Sequence, residues 1–351
     1  MNTPQLLALG TQVPAARYSQ QAVAEHITAL QDLSDRRARA IHAIYDRAGV
    51  GFRHFVVPRD YFAEPRSTQA RNDLYMQEAV PLGEAAIQAA LRDTDYTVHD
   101  IDDFIVVSCT GISTPGLDLH LAGRMGMRPD LRRTCVLGMG CYGAFPAVNR
   151  ASEAVRAHPE RRALVLCVEL CSLHIQMDQT SEDVVSSALF ADGAAAVLLG
   201  GAGHSACLPR VIGAATACDY TTLEHMSFSL TDHGFRMYLS SYVPDLLSSQ
   251  VKGFVEGFLA DHGLSRQEVR LWGIHPGSSK VVDYVQAQLG LSDTQVEPSH
   301  DVLHHYGNMS STTILFVLEN IIRCQQPQSG DYGVLLAFGP GLTMEALLVQ
   351  W

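Results

Sequence analysis

The chain has 351 residues, long enough for one large core or two ordinary domains. With 47% apolar and 18% charged residues it reads as a compact α/β enzyme, not a disordered or fibrous chain. A formal net charge of −12 excludes nucleic acid as the main partner, because phosphate backbones demand basic surface. No leader-like amino terminus and no apolar run of membrane-spanning length is visible, so a cytoplasmic protein with no integral membrane association is expected.

The first strand is predicted at residues 5–9, closed by Gly10, and a helical stretch at 20–48. Between residues 36 and 60 lie Arg36, Arg37, Arg39, Arg47, Arg53 and Arg59 against only Asp46 and Asp60. This local reversal of sign is either a solvated helical face or a dock for an anion such as a nucleotide phosphate. A long helix over 72–93 precedes the β-branched run Asp103–Gly111, a strand buried on both faces. Val136-Leu-Gly-Met-Gly-Cys-Tyr-Gly then opens a helix whose apolar positions Phe145, Val148, Ala151, Ser152 and Val155 recur at helical spacing. Strands follow at 163–168 and 193–200, with Ser186–Phe190 leading into Ala-Asp-Gly as a tight turn. The second half repeats the order: strand 271–275 ended by Pro276-Gly277, helix from Asn308, strand 332–338, and a pairing segment 344–349. Strand start to helix start spans about 37 residues in both halves, which suggests two similar βαβαβ-type halves, 1–203 and 204–351.

Eight cysteines, mostly in apolar runs, read as reduced buried thiols, and the strand-like setting of Cys167 and Cys171 argues against a metal. Cys141 stands apart. Gly138 and Gly140 let a substrate backbone come close, and a helix start lowers a thiol's pKa. Its alternative is a buried structural cysteine. His275 and Asn308 lie at Gly/Pro-marked ends of other elements, where each can equally be a satisfied core histidine or a helix cap. Together the three fit two chemistries. One is papain-like cleavage, which wants a nucleophile near the amino terminus in a different local setting. The other is decarboxylative carbon–carbon bond formation on thioesters: cysteine takes an acyl group, while His and Asn donors hold a second thioester's carbonyl as carbon dioxide leaves.

Leu137-Gly-Met-Gly-Cys141, Trp272-Gly-Ile-His275-Pro-Gly277, Tyr306-Gly-Asn308-Met-Ser-Ser311 and Phe338-Gly-Pro-Gly-Leu-Thr343 resemble the motifs of type III polyketide synthases, the chalcone synthase-like family. The resemblance implies a thiolase-like fold with five αβαβα layers, a homodimer, and iterative condensation of malonyl-CoA onto an acyl-CoA starter. Coenzyme A thioesters are then substrates, and no cofactor is implied. Carried over by position, Cys141 is the nucleophile and His275 and Asn308 the decarboxylation pair. Phe190 is a gating aromatic, with Met237 where the family has a second gating phenylalanine. Arg47 and Lys280 fall where the nucleotide tail of coenzyme A passes. Gly277, Cys109, His174, Met226, Phe228 and Phe338 complete the expected substrate-binding set. Bulk at Phe228 is expected to shrink or redirect the cavity, while Cys109 can open a side tunnel for a long acyl chain. Thr114-Pro115 matches a loop with a cis proline. The alternative to a polyketide product, a pyrone or phenolic ring from a starter such as a fatty acyl group, is single condensation on an acyl carrier protein. A further alternative is a silent acyl-binding subunit.

Overall fold

A computed structural model describes residues 3–31, 33–177, 180–201, 208–224, 226–239 and 243–351. The expected 203/204 boundary lies outside these residues.

Strand β1 (Gln5–Gln12) is followed by β2 (Arg17–Ser19) and helices α1 (Gln20–Ala29) and α2 (Asp35–Asp46). The stretch predicted as one helix is thus two. Ser19 and Ser34 each cap an N-terminus by accepting from the backbone N–H three residues on, which restarts the chain between them. Next come β3 (Phe52–His54), α3 (Thr68–Leu91), β4 (Asp103–Val107), α4 (Leu117–Met125), β5 (Arg132–Val136), α5 (Ala144–Ala157), β6 (Ala163–Leu170), α6 (Ser181–Leu189) and β7 (Asp192–Gly200). Asp192, expected in a tight turn, instead begins β7 and is fully buried, because Ser172 and the Val56 N–H satisfy its carboxyl. The rest comprises β8 (Arg210–Cys218), β9 (Met226–Thr231), β10 (Gly234–Leu239), α7 (Val243–Asp261), β11 (Val269–Ile274), α8 (Ser279–Leu289), α9 (Asp293–Tyr306), α10 (Thr313–Asn320), β12 (Tyr332–Gly339) and β13 (Thr343–Gln350). The Thr114–Pro115 peptide is cis.

Nine strands form one mixed sheet in the order β11-β12-β13-β8-β1-β7-β6-β4-β5, joined between the halves where Gln5 of β1 pairs with Arg210 of β8. In each half a parallel pair (β4 with β6, β11 with β12) is followed by two antiparallel neighbours. The second half therefore repeats the order of the first without its outermost strand, β5. Helix α5 packs on β4, β6, β7, β8 and β13, and α10 on β1, β7, β11 and β12. Both lie between the halves, while α3 covers the far side of β1, β6 and β7, and α9 packs on β11. Residues 311–318 are buried on every side, as a helix enclosed by two sheet faces must be. A larger core spans the first half and α10; a second, around Trp272, Ile274, Leu336 and Leu348, lies under α7 and α8.

Candidate active site

Two glycines place Cys141. Gly138 and Gly140 take φ of +72° and +63°, the left-handed region open to glycine, and Cys141 follows in a single turn, Gly140–Tyr142, just before α5. The thiol is buried, and the side chains of Ser310 and Asn308 both act on it by hydrogen bonding. The helix start was expected to lower its pKa. Burial outweighs these influences and pushes the thiol up to about 11.

His275 ends β11, its N–H donating to the Leu336 carbonyl at 2.7 Å. The ring is 1% exposed, and neither of its nitrogens has a partner among the described residues. Desolvation takes its pKa down to about 3, so the imidazole is neutral. A buried ring with two unspent nitrogens is a signature of a site that meets a ligand.

Asn308 was expected to open a helix. Instead it pairs with Phe190 as an isolated parallel bridge, its N–H donating to Leu189 O and its carbonyl accepting from Ala191 N, both at 2.9 Å. The α-helix begins only at Thr313, after a short turn at Ser310–Thr312. Asn308 Oδ1 accepts from the Ser310 N–H at 2.8 Å, and Nδ2 donates to the Gly277 carbonyl at 3.3 Å. Ser310 holds φ of +51°, a costly conformation for a residue with a side chain. One carboxamide thus links the nucleophile's surroundings to the strand end that carries His275.

Beneath lies Glu169, which sequence reasoning missed. It is fully buried on β6 and accepts from the Cys109 N–H (3.0 Å), Thr110 Oγ1 (2.8 Å), Ser311 Oγ (2.5 Å) and Cys109 Sγ (3.3 Å). Burial raises its pKa despite these donors. A lone carboxylate inside the apolar run 163–170 was the available signal.

A narrow cavity, with room for about 30 Å³ of solvent, is lined by Cys109, His174, Phe190, Phe228, Met237 and Ser310. That is space for about one water. Phe235, not singled out from the sequence, also lines it. Both ring nitrogens of His174 are spent on backbone: Nε2 on the Thr110 carbonyl (2.7 Å) and Nδ1, which accepts from the Phe235 N–H (3.1 Å). His174 therefore ties the β9–β10 hairpin to the Cys109 loop, and burial lowers its pKa to about 4. Two expected lining residues lie elsewhere. Met226, at the start of β9 and on the same face as Phe228, packs against the second core, and Phe338 belongs to that core, on the face of β12 shared with Val334 and Leu336.

Arg47 ends α2 and Lys280 sits in the first turn of α8, both exposed. They flank one junction, since a methyl on Gly49 would lie 2.9 Å from Ser279 Cβ. Gly277 is half-buried. Arg36, Arg39 and Arg59 are exposed, whereas Arg53 is fully buried and forms no part of a basic surface. Among the described residues no cluster of three or more His, Cys, Asp or Glu side chains could hold a metal, and no helix is long and apolar enough to cross a membrane.

A buried cysteine between two glycine-marked loops, with a histidine and an asparagine from the opposite half, is a constellation suited to acyl transfer. Comparison with known proteins narrows it. Residues 2–203 match the N-terminal domain, and residues 216–351 the C-terminal domain, of chalcone and stilbene synthases. A 1,3,6,8-tetrahydroxynaphthalene synthase from Streptomyces peucetius is 35% identical over 98% of this chain and 92% of its own length. An alpha-pyrone synthesis polyketide synthase-like protein from Mycobacterium tuberculosis is 32% identical over 97% and 89%. The crystal structure of PKS-I from the brown alga Ectocarpus siliculosus superposes with a TM-score of 0.94 at 28% identity, covering 100% of this chain and 98% of that one. The chain belongs to the chalcone and stilbene synthase family: it is a type III polyketide synthase with the thiolase-like fold, and hence an acyltransferase.

Proposed function

We propose that this enzyme extends an acyl-CoA starter by iterative decarboxylative condensation with malonyl-CoA and closes the chain to a pyrone or phenolic ring. Cys141 Sγ attacks the starter thioester, its proton passes to the neutral His275 imidazole, and coenzyme A leaves as the thiol. Malonyl-CoA then binds with its thioester carbonyl against the His275 ring N–H and the Asn308 carboxamide. Loss of carbon dioxide leaves an enolate held by those donors, and its carbon attacks the acyl–Cys141 carbonyl, expelling the thiolate. Coenzyme A thioesters are the only small molecules required; Arg47 and Lys280 meet the nucleotide phosphates. Relatives named for a tetrahydroxynaphthalene, 3,5-dihydroxyphenylacetyl-CoA and alpha-pyrones support the ring-forming reading. A fatty acyl starter is the finer reading, with Cys109 at the side of the cavity where a long chain would enter.

The reading also places the enzyme in the cytoplasm as a homodimer. Edge strand β5 is largely exposed, and Ile112, Leu137 and Leu119 stand 57%, 50% and 43% open on nearby segments, which supports a covered face.

The observation that carries the reading is the unpartnered, neutral His275 at the strand end to which Asn308 is bonded. Release of labelled carbon dioxide from malonyl-CoA is expected to fall about a hundredfold in His275→Ala and Asn308→Ala. Intact mass should show one acyl adduct after incubation with starter thioesters, absent from Cys141→Ala. Undiminished decarboxylation in both variants, or acylation that persists without Cys141, would sink the assignment. Extension that strictly requires a carrier protein would favour single condensation instead.

A further inference from the structure

Arginine is almost never fully buried without a paired carboxylate. Arg53, on β3, is 0% exposed, and among the described residues no ion pair engages it, although the buried Asp192 carboxylate and the Tyr45 hydroxyl act on its charge from nearby. Its Nη1 donates to two backbone carbonyls, Ser187 O at 2.5 Å and Phe190 O at 3.0 Å, while Nε and Nη2 have no partner among the described residues. The rings of Phe55 and Tyr45 lie 5.2 and 5.6 Å from the guanidinium carbon.

The location gives this costly burial a purpose. Phe190 and Asn308 are bridge partners, and the Leu189 carbonyl and Ala191 N–H on either side of Phe190 hold the Asn308 backbone. From the other direction Arg53 packs beneath Gly307: a methyl there would lie 3.0 Å from Arg53 Cγ and from Leu189 O. The remainder of the α6 terminus is tied independently, by Tyr45 Oη to Ser187 Oγ (2.9 Å) and Gln20 Nε2 to Ala188 O (2.8 Å). Arg53 alone among these contacts grips Phe190, so its removal frees that crossing while α6 stays anchored.

We infer that Arg53 is a positioning residue: by fixing the Phe190 carbonyl beneath the Gly307–Asn308 segment, it aims the Asn308 carboxamide for the decarboxylation step. The inference rests on the function proposed above. A merely structural role would weaken every step alike, whereas positioning of Asn308 separates the two half-reactions. Cys141 acylation by a starter thioester depends on the cysteine and histidine, with Asn308 only one of several groups that favour the thiolate, whereas malonyl-CoA decarboxylation needs the carboxamide as a donor.

Both half-reactions are measured in the full-length enzyme, by intact mass and by labelled carbon dioxide release, for Arg53→Met, Arg53→Lys and Gln20→Leu. Decarboxylation is expected to drop about tenfold to a hundredfold in Arg53→Met while acylation changes by less than about threefold. Arg53→Lys, which keeps one charged donor, should recover part of the loss. Gln20→Leu, which frees the Ala188 carbonyl of α6 without touching Arg53 or the Phe190 carbonyl, should leave the ratio of the two rates unchanged. A parallel fall in both rates in Arg53→Met, or a ratio that never moves, overturns the inference. If Arg53→Met does not fold, Arg53→Lys against Gln20→Leu decides by the same ratio. A wild-type enzyme that performs neither half-reaction defeats the proposed function itself, and this inference with it.

Discussion

Burial and hydrogen bonding pull the Cys141 thiol in opposite directions. Ser310, Asn308 and the local backbone favour the thiolate, but desolvation leaves the pKa near 11. A helix N-terminus contributes about 0.3–1 kcal/mol, less than the roughly 3 kcal/mol that a shift of about two units represents. With His275 near 3, the resting site at neutral pH holds a thiol beside a neutral imidazole, not a preformed ion pair. The nucleophile is then made only as substrate arrives. Alkylation of Cys141 by iodoacetamide should accordingly rise about tenfold per pH unit from 7 to 9 and level off only near 11. A plateau already present at pH 6–8 would mean that a thiolate–imidazolium pair exists at rest. The rate is read by peptide mass mapping of the segment that carries Cys141, because Cys135, Cys218 and Cys324 are exposed and alkylate independently.

Between elements, the two glycine loops nest. A methyl on Gly140 would lie 2.9 Å from the Pro340 ring, and one on Gly339 would lie 2.4 Å from Tyr142 Cδ1. Each half thus supplies glycines that admit a ring from the other, and Tyr142 directly follows the nucleophile. Gly339 has extended backbone, so the cost of Gly339→Ala is purely steric. That substitution should displace the Gly140–Tyr142 turn, cost about 1–3 kcal/mol of stability and lower turnover about tenfold or more. Adding Tyr142→Ala removes the obstructing ring and should restore turnover in part; denaturant midpoints and steady-state rates check both. Failure of the second change to rescue would show that the loops do not depend on this fit. Glycine and proline are the reason the candidate site positions were legible from sequence: Cys141, His275 and Asn308, the residues of the proposed chemistry, each sit where such residues mark an element's end. Phe338 was misplaced for the opposite reason. A strand's two faces differ by one residue, and motif position alone does not say which face meets the cavity. Arg53 looked like one more member of a basic run, because a string of letters does not distinguish a solvated guanidinium from one enclosed by rings and carbonyls.

At the scale of the whole molecule, the halves were readable as a repeat of element order, yet they do not divide the core between them. Helix α10 belongs to the second half by sequence, but Ile314, Leu315, Phe316, Val317 and Leu318 lie in the core of the first. Burying five such side chains is worth roughly 8–15 kcal/mol, about the entire stability of an ordinary domain. The sheet also crosses the junction, with Leu6 N–H donating to Pro209 O at 3.0 Å and Val211 N–H to Pro4 O at 2.8 Å. Neither half can open without uncovering the other, and the site needs both, since Cys141 comes from one and His275 and Asn308 from the other. The chain's two tryptophans report on this coupling, because Trp351 packs in the larger core and Trp272 in the second. In urea, Trp272→Phe and Trp351→Phe each leave one fluorescent reporter, and the two midpoints should coincide with each other and with far-ultraviolet circular dichroism. Residues 1–203 produced alone, lacking α10, should not give a cooperative transition. Two well-separated midpoints, or a folded 1–203 fragment, would mean that each half carries its own stability and that the shared helix merely docks.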